Sequence, residues 1–480
     1  MISSPQRGPP GAGLKGFCNF LLLAYLLVLS TYTLYTLSGE DGHLFSFLTL
    51  FTWRYLRLVV NIIAFFCYTP APIPRNAKYI PNKDVTVILP TIDPEGADFQ
   101  ECVRTCCENL PAAILIITAG DVLYAKTLAA VLPFQKEFGR TEFTISRTQI
   151  ASKREQVAHA IPLIRTQLTV LLDDHVFWGP NFLRSLVAPF EDESVGLVGT
   201  NKSVRRVPNL PLWGRIWNLL GALYLIRHNF EVRATNTLDG GAFVVSARTC
   251  ALRTVIIQSP AFVSGYTNER FLFGRLGPLN ADDDNYVTRF VVRAGWNVKI
   301  QYTPDSCIET TVGVTAPVAN KFLGQCRRWA RTTWRSNSCS LFTDRSVWRC
   351  QPWSVYAVFL TSFTNFALFT DAGLVYLLWQ SSWSSSFSIA ILAVWILSTK
   401  MVKILPYFWQ YPQDLYLFPV AVLYAYAHSF IKLWALVTFW DCQWSGRNLG
   451  AIAVKKQEEG QEEGQELVCI EVDRVVVRES

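Results

Sequence analysis

The sequence predicts an α/β domain with a mostly parallel sheet, inserted between α-helical transmembrane segments. Charged residues make up only 17% of the 480 residues, whereas about 25% is usual in soluble proteins. The apolar excess lies in two N-terminal runs and a C-terminal block, with an ordinary globular composition between them. In that middle part, residues 75–335, short apolar runs alternate with helical stretches, which is typical of a sheet covered on both faces.

The first apolar run, residues 17–37, has 21 residues and no charge. It is long enough to cross roughly 30 Å of hydrocarbon as a helix. A cleaved signal peptide is the alternative, but the run exceeds a typical signal core and no small-x-small cleavage site stands out. We therefore predict a retained transmembrane helix that follows a cytosolic N-terminus, residues 1–16.

The second apolar run, residues 44–68, contains Arg54 and Arg57. Because charges at the bilayer centre are costly, we expect both side chains to face a protein interior, a water-filled path or the interface. Residues 17–68 are thus predicted to form two transmembrane helices. The basic residues that flank this pair are Arg7, Lys15, Arg75 and Lys78. The positive-inside rule then places the N-terminus and everything after residue 70 in the cytosol.

Four apolar, β-branched runs predict the strands of the α/β domain: residues 84–91, 112–121, 168–175 and 241–248. Small polar or acidic residues stand at the carboxyl ends of three of them: Thr91, Asp93, Asp121, Asp173 and Asp174. Ligands of such sheets bind at the carboxyl ends of the strands. One such aspartate is usually a helix N-cap, but three strands that end alike indicate a pocket for a metal-bound, phosphate-bearing ligand.

The segment LLDDHVFWGPNF, residues 171–182, predicts the metal ligands of this pocket. Alternating side-chain directions along a strand place Asp173 and His175 on one side, and Asp174 on the other unless the chain turns. Carboxylates suit Mg²⁺ or Mn²⁺, and an imidazole ligand favours Mn²⁺. A helix cap beside a hydrogen-bonded histidine is the alternative interpretation.

Three successive aspartates, residues 282–284, precede a helical pattern. Asp284 is a candidate general base, because like-charged neighbours raise the pKa of a clustered carboxyl group. Its neighbour Asp283 completes the predicted catalytic pair. The alternative is an acidic first turn that interacts with the helix dipole, and both interpretations can hold together.

The stretch NKFLGQCRRWARTTWRSN, residues 320–337, is rich in arginine and aromatic residues. On a helix, Gln325, Arg328 and Trp329 share one face because they stand at positions i, i+3 and i+4. This face presents an amide, a guanidinium group and an indole, which predicts a binding site for a diphosphate and a sugar ring. The alternative is a group of basic residues that flanks a membrane helix, a role in which lysine would serve as well.

Three apolar runs make up most of residues 341–440, and interface helices precede them: residues 353–379, 388–405 and 415–440. The first two are predicted transmembrane helices. Pro419, His428 and Lys432 interrupt the third, which either spans the membrane or lies in the interface or re-enters; we favour the second possibility. An acidic tail, residues 451–480, is predicted to be disordered.

Five segments together resemble the processive family-2 glycosyltransferases, the hyaluronan, chitin and cellulose synthases. They are SKRE (152–155), LDDHVFWGPNFL (172–183), DDDNYVTRFVVRAGW (282–296), QCRRW (325–329) and QWSGR (443–447). QCRRW has the Q-x-x-R-W signature of these enzymes. The segments stand in family order and the resemblance covers about residues 84–447. Among branches, the type 2 glycosyltransferases of fungal cell surfaces are the most similar.

The resemblance implies a GT-A (Rossmann-like) fold and a nucleotide-sugar site. The residues that would bind the nucleotide-sugar are Thr91, Asp93, Asp121, Lys153, Arg154, Asp173, Gln325, Arg328, Trp329, Trp444 and Arg447. Thr91, Asp93 and Asp121 would hold the uracil and the ribose. Lys153 with Arg154 would contact the diphosphate. The last two residues of the list would close over the nucleotide from a gating segment, residues 441–450.

The resemblance also implies a divalent cofactor, Mn²⁺ or Mg²⁺, held by Asp173 together with Asp174 or His175. His175 stands where the family has the second acid of a D-x-D motif. Either the imidazole is therefore a ligand or Asp174 has taken that place. Asp284 would accept the proton of the acceptor hydroxyl.

Together these inferences predict an inverting, UDP-sugar-dependent hexosyltransferase of the plasma membrane with a cytosolic catalytic domain. It would extend a growing polysaccharide of the cell surface or cell wall and secrete it through its own channel in the lipid bilayer. No nucleic-acid partner is expected. A non-processive enzyme that acts on a lipid-linked acceptor is the alternative, and a transporter with a nucleotide-binding regulatory domain is a more distant one.

Overall fold

A mixed sheet forms the centre of the protein in the computed structural model, which describes residues 12–314 and 317–441. Its strands are β1 (Val85–Pro90), β2 (Ala113–Ala119), β3 (Glu142–Thr148), β4 (Leu168–Leu172), β5 (Val176–Phe177), β6 (Val195–Val204), β7 (Thr249–Arg253), β8 (Asn297–Gln301) and β9 (Cys307–Thr310). Their order across the sheet is β3-β2-β1-β4-β7-β6-β9-β5, with β8 paired to β6.

Helices lie between these strands and make up both ends of the described chain. They are α1 (Ala12–Ser38), α2 (Gly42–Cys67), α3 (Pro81–Asp84), α4 (Ala97–Glu108), α5 (Gly120–Glu137), α6 (Lys153–Ala160), α7 (Phe182–Val187), α8 (Leu212–Asp239), α9 (Thr254–Ile257), α10 (Pro260–Thr267), α11 (Asp283–Arg293), α12 (Val318–Thr332), α13 (Ser346–Cys350), α14 (Pro352–Ser354), α15 (Thr361–Thr364), α16 (Ala367–Gln380), α17 (Ser386–Val402), α18 (Leu405–Gln410) and α19 (Phe418–Leu436). Wider helical turns join some of them: Thr333–Asn337, Cys339–Asp344 and Val355–Leu360.

The half of the sheet that carries the predicted strand ends is parallel. Strands β3, β2, β1 and β4 pair in parallel in that order. Every residue of β1 and β4 is buried, because helices cover both faces, and this burial accounts for their continuous apolar sequence. Strand β7 runs antiparallel to both β4 and β6, so antiparallel pairing interrupts the mostly parallel sheet.

The predicted strand at residues 241–248 is wrong. These residues form an irregular connection after α8, and the strand β7 begins only at Thr249. The backbone N–H of Val245 donates to the hydroxyl of Thr288 on α11 rather than to a neighbouring strand. Ala242 and Val245 are buried. The apolar composition of this run therefore reflects burial in the core and not strand pairing.

Helices cover both faces of the sheet and create two cores. On one face Phe99 of α4 and Phe182 of α7 pack against the strands. On the other face the core includes Val157 of α6 and Phe262 of α10. This second core continues to Phe359, beyond the sheet. The C-terminal helices thus share a core with the α/β domain, so the sheet and these helices hold each other in place.

The apolar helices pack against one another and against α8. Leu44 of α2, Leu374 of α16 and Phe230 of α8 belong to one buried cluster. Two helices of the described chain are long and apolar enough to cross a membrane, Gly42–Cys67 and Pro412–Leu436. Helix α17 is apolar but shorter. Insertion of these helices into a bilayer stays a prediction.

The predicted continuous helix over residues 353–379 is wrong. The chain breaks at Asn365 and the helices on either side are bent by 87°. The Nζ of Lys432 on α19 donates to the carbonyl of Asn365 at 3.1 Å, and Arg54 Nη1 donates to its amide oxygen at 3.2 Å. Polar groups left open at a helix break need partners of this kind. The bent pair is either a broken span or a re-entrant loop.

The other predicted segments have simpler outcomes. Helix α1 covers the run 17–37, and α17 covers most of the run 388–405. The run 415–440, for which we favoured an interfacial or re-entrant position, forms a helix of membrane-spanning length. Trp444, Arg447 and the tail 451–480 lie outside the described residues.

Candidate active site

The carboxyl ends of β1, β2 and β4 meet at one edge of the sheet and are tied together there. Thr91 Oγ1 donates to Asp174 Oδ2 at 2.9 Å, which joins the ends of β1 and β4. The Nε2 of Gln156 on α6 donates to the carbonyls of Thr91 and Ile117, at 3.1 and 2.7 Å. The backbone N–H of Asp93 donates to Thr91 Oγ1. The edge that was predicted to bind the nucleotide is thus a rigid, hydrogen-bonded unit.

Asp121 lies at the end of β2, in the first turn of α5. Its Oδ1 is 2.5 Å from Nε of Arg147 at the end of β3, and the side chain of Asp121 is exposed. The Arg147 guanidinium also lies 4.7 Å from the ring centre of Tyr124. Asp121 therefore occupies the outer rim of the strand-end edge.

Lys153 is the centre of the charged cluster at this edge. It is the first residue of α6, and the side chain of Ser152 caps that helix. Its Nζ lies 2.6 Å from Asp173 Oδ1 and 3.1 Å from Asp283 Oδ2. Burial opposes the charged form, but Asp173 and Asp283 outweigh it and raise the pKa of Lys153 well above its usual value. Burial likewise opposes ionisation of Asp173, yet Lys153 and His175 hold the pKa of that carboxyl below its usual value.

Arg154 does not fit the predicted contact with a diphosphate. Its side chain is buried and points away from the strand ends, towards α10 and the loop that follows it. Its guanidinium donates to the carbonyls of Tyr266 and Ala281 and to Glu269, each at 2.7 Å. Because these partners all belong to the protein, the geometry gives Arg154 a supporting role.

The three successive aspartates point to different partners. Asp282 adopts a left-handed backbone with φ of 62°, which aspartate tolerates better than most residues. Its carboxylate accepts from Arg335, at 2.6 and 2.9 Å, and from Thr332 at 2.7 Å. Asp283 faces Lys153, and its buried Oδ2 makes no aligned hydrogen bond among the described residues. The first aspartate thus anchors the turn, while the next two face the cluster.

Asp284 has the properties of a general base. Burial, followed by the charges of Asp283 and Asp282, raises the pKa of its carboxyl to about 6 against the opposing charge of Lys153. Its Oδ1 accepts from the backbone and the side chain of Asn285, at 2.9 and 3.0 Å. A carboxyl group with a pKa of this order takes up a proton efficiently near neutral pH.

Helix α12 brings the predicted Gln325, Arg328 and Trp329 to the same region. Gln325 is half-buried. Arg328 lies close enough to the aspartates to interact with their charges, although burial lowers the pKa of its guanidinium. The indole of Trp329 lies 4.7 Å from the ring of Tyr224 and 5.6 Å from the guanidinium of Arg248. A sugar ring would therefore meet an indole that already contacts two protein side chains.

The last described residue, Asp441, is tied to the aspartate turn. Arg335, which holds Asp282, also donates to the carbonyls of Phe439 and Asp441, at 3.1 and 2.7 Å. Arg331 forms an ion pair with Asp441 at 2.6 Å. The segment predicted to carry Trp444 and Arg447 thus begins beside the site.

Comparison with known proteins identifies the family. A model of the family described as "Glycosyltransferase like family 2" matches residues 81–332, which is more than half of the chain. The chain belongs to this family. A protein of Zymoseptoria tritici named "Type 2 glycosyltransferase" is 37% identical over 413 residues, which cover 85% of this chain and 84% of the relative. A protein of Gibberella zeae with the same name is 37% identical over 411 residues, covering 84% and 76%.

The predicted enzyme class and the GT-A α/β fold are thereby confirmed: the protein is a family-2 glycosyltransferase. Among solved structures, a mannosyltransferase from Pyrobaculum calidifontis in complex with GDP-Man and Mn²⁺ is similar over 81% of this chain and 97% of its own. Its sequence identity is 13% and its TM-score is 0.48.

Three basic residues of this glycosyltransferase near the aspartates were missed by the sequence analysis. They are Lys202 at the end of β6, His228 on α8, and Arg248 just before β7. Lys202 Nζ lies 3.0 Å from His228 Nδ1, and burial, followed by the charge of Arg248, lowers the pKa of Lys202 to about 7. Arg248 is close enough to Asp173 and Asp284 to interact with their charges.

A signal for two of these residues was present in the sequence. Arg248 ends the apolar run 241–248, and Lys202 follows the apolar run 195–199 after Thr200 and Asn201. The residues predicted at strand ends were acidic or small and polar, so neither basic residue was among them. His228 stands inside a long helix, and nothing in its sequence neighbourhood indicates that it faces a strand end.

The donor set at the end of β4 fits a divalent cation that arrives with a diphosphate. Among the described residues, no group of three or more His, Cys, Asp or Glu side chains is assembled for a metal ion. Asp174 is engaged by Thr91 and by His175 Nδ1, the latter at 3.2 Å. This contact orients the imidazole as metal-binding histidines are usually oriented. Asp173 and His175 Nε2 are then left as the protein ligands of the metal ion. One or two protein ligands suffice when phosphate oxygens complete the coordination.

Proposed function

We propose that this family-2 glycosyltransferase is an inverting, UDP-sugar-dependent hexosyltransferase that extends a polysaccharide at the plasma membrane. One observation carries the proposal. The charge of Asp284, a carboxyl group with a pKa of about 6, interacts with the charges of both Lys153 and Arg328. One electrostatic cluster therefore contains the proposed base Asp284, the proposed diphosphate ligand Lys153, and Arg328 of α12, the helix proposed to bind the acceptor sugar.

The reaction follows from these positions. An acceptor hydroxyl gives its proton to Asp284 while its oxygen attacks the anomeric carbon of the donor. A new glycosidic C–O bond forms as the bond to the diphosphate oxygen breaks, and the configuration is inverted. UDP leaves with the bonding electron pair, and the charges of Lys153 and Arg328 stabilise it. Asp283 keeps Lys153 in place through its ion pair.

A divalent cation, Mn²⁺ or Mg²⁺, held by Asp173 and His175, would neutralise charge on the leaving diphosphate. Thr91, Asp93 and Asp121 would contact the uracil and the ribose. The hydrogen bond from Thr91 to Asp174 supports this arrangement, because it joins the nucleotide edge to the metal ligands. Trp444 and Arg447 would close over the nucleotide, since the chain that leads to them is held at Asp441.

The helices support a product path that begins at Trp329. Tyr224 contacts the indole of Trp329 and also lies 6.3 Å from the ring of His428 on α19. Helix α19 belongs to one of the two helices of membrane-spanning length. We propose that the growing polysaccharide passes from Trp329 between these helices, with the catalytic domain in the cytosol. A lipid-linked acceptor that receives a single sugar is the alternative.

A panel of UDP-sugars tests this proposal. The full chain, purified in a lipid nanodisc with Mn²⁺, is incubated with UDP-glucose, UDP-N-acetylglucosamine or UDP-glucuronate, alone and in pairs. UDP release and the size of the product are measured. We expect UDP release with at least one donor and a product of many sugar units. In a parallel reaction with polyprenyl phosphate in the nanodisc, transfer of one sugar to that lipid would favour the alternative, and the absence of UDP release with every donor would contradict both.

A further inference from the structure

A group of basic side chains lies next to the proposed acceptor path. We define the basic cluster as Arg57 of α2, Arg227 of α8, and His428 and Lys432 of α19. Arg227 is close enough to Arg57 and to His428 for their charges to interact, and Lys432 is equally close to Arg57 and to His428. The four residues therefore share one electrostatic environment although they come from three helices.

Neutral oxygens are the polar partners of this cluster. Arg57 donates to the carbonyl of Ala357 at 3.1 Å and to the hydroxyl of Thr361 at 2.8 Å. Lys432 donates to the carbonyls at the break of the bent helix pair. Arg227 is exposed and forms no close ion pair among the described residues, although the charge of Glu231 acts on it. The buried Nε2 of His428 has no hydrogen-bond partner there.

The acids of this region are occupied by other cations. Asp371 forms ion pairs with Arg54 and Lys400, both at 2.6 Å. Glu231 pairs with Lys403 and accepts from the amide of Asn61. Neither carboxylate lies within ion-pair distance of the basic cluster. Glu231 also attracts Arg57 and Arg227, but it shares its single charge between these two residues and Lys403. The cluster therefore keeps an excess of positive charge.

Such an excess is costly unless an anion enters it. Cations that are withdrawn from water without a counter-charge lose hydration, and they repel one another as well. An anionic group bound among Arg57, Arg227 and Lys432 would remove both penalties and would give His428 Nε2 a partner. The cluster thus has the charge of a binding site for an anion.

The position of the cluster indicates that this anion belongs to the acceptor. Tyr224 joins it to the site, because the ring of Tyr224 lies between the indole of Trp329 and the imidazole of His428. Tyr424 lies 6.2 Å from the same imidazole. Aromatic faces suit sugar rings, and a cationic group beyond them suits a carboxylate on such a ring. A lipid phosphate would have no ring to place against these aromatic residues.

We propose that the acceptor glycan of this enzyme carries a carboxylate, as a hexuronic acid does, and that the basic cluster binds it. This inference rests on the proposed function, since it names the chemical class of the acceptor at the same site. It assigns Arg227 as a specificity-determining residue, because its guanidinium is exposed and forms neither a hydrogen bond nor a close ion pair among the described residues.

A matched pair of glycans tests the inference. The full chain in nanodiscs is titrated with a uronic-acid tetrasaccharide and with its methyl ester, and binding is followed by calorimetry. We expect the wild type to bind the acid at least about tenfold more tightly, as a charge-assisted hydrogen bond predicts. Arg227→Gln should abolish this preference and Arg227→Lys should keep part of it. Arg165→Gln, which removes an exposed arginine of the catalytic domain, should keep all of it.

A second measurement needs no variant. The preference of the wild type for the acid should shrink when the ionic strength is raised from about 0.1 M to about 1 M, since the screening length falls from about 10 Å to about 3 Å. Equal binding of acid and ester by the wild type would overturn the inference, and so would a preference that survives Arg227→Gln. Binding of polyprenyl phosphate that is lost in Arg227→Gln, with no binding of the tetrasaccharide, would assign the cluster to a lipid phosphate instead.

UDP release tests the proposed function separately from the inference about the carboxylate. If the same preparation releases no UDP from any UDP-sugar, the proposed function fails. If UDP is released while acid and ester bind equally, the inference about the carboxylate alone fails.

Discussion

Lys153 and Arg154 are adjacent in sequence but belong to two different ionic networks. Lys153 faces Asp173 and Asp283 at the edge of the sheet, where the side chains of Lys153 and Asp173 are 22% and 20% exposed. Arg154 turns the other way, to Glu269, and these two side chains are 2% and 9% exposed. One network is open to a ligand, and the other is closed on protein partners.

Two adjacent residues of one short motif can therefore have different roles, one in ligand binding and one in stabilising the fold. Consecutive residues of a helix point about 100° apart, since one turn takes 3.6 residues. Arg289 of α11 also pairs with Glu269, so the closed network ties α6 to the helix of the aspartates. The closed network therefore holds in place the two helix starts on which the open network depends.

The largest expected effect is a loss of stability when Arg154 is removed from the closed network. Arg154→Met should lower the free energy of unfolding by about 3 to 5 kcal/mol, because it leaves the carboxylate of Glu269 buried with one partner fewer. Thermal unfolding of the purified chain measures this loss. Arg165→Met, at an exposed site, is the matched control and should leave the midpoint unchanged. If Arg154→Met kept its stability and lost only UDP affinity, Arg154 would belong to the open network after all.

A smaller effect on stability but a specific effect on binding is expected at the neighbouring position. Lys153→Met should weaken the affinity for UDP with Mn²⁺ by about tenfold to a hundredfold, the worth of one charge-assisted hydrogen bond. Lys153→Arg should restore part of the affinity. Calorimetric titration with UDP provides the measurement, and Lys136→Met on the exposed face of α5 is the control. Unchanged UDP affinity in Lys153→Met would contradict the proposal that the open network binds the diphosphate.

The pH dependence of the reaction sharpens the description of the open network. The pKa of Asp284 is raised from 3.8 to about 6, and a general base must be ionised. The rate should therefore be constant above about pH 6 and fall tenfold per pH unit below it. Asp283→Asn removes a like charge and should move this limb to lower pH. A limb that stays near pH 6 in Asp283→Asn would mean that burial and the charge of Asp282 set the pKa of Asp284 without Asp283.

Much of the site could be predicted from the sequence because its parts follow local rules. Buried strands such as β1 and β4 are continuous apolar runs, and polar residues at their carboxyl ends meet at one edge. The hydrogen bond between Thr91 and Asp174, at the ends of β1 and β4, agrees with that expectation. The direction of Arg154 could not be predicted, because its partner Glu269 is distant in sequence and nothing local indicates that they meet.

The errors in the helical part have the same physical origin. The break at Asn365 is stabilised by Lys432 and Arg54, and both come from other helices. Apolar composition alone therefore predicted one continuous span. The run 241–248 was assigned to a strand because its residues suit burial, and burial without pairing produces the same composition.

Asp284 is the group that takes the acceptor proton in the proposed mechanism. Asp284→Asn should bind UDP with unchanged affinity and lose sugar transfer by about a thousandfold, which lies within the usual range for a positioned base. The exposed Asp305→Asn should transfer at the wild-type rate. The decisive measurement is a single-turnover assay of Asp284→Asn with bound donor, followed by quantification of the glycosidic product. We expect no product on the wild-type timescale; transfer at the wild-type rate would contradict the proposed mechanism.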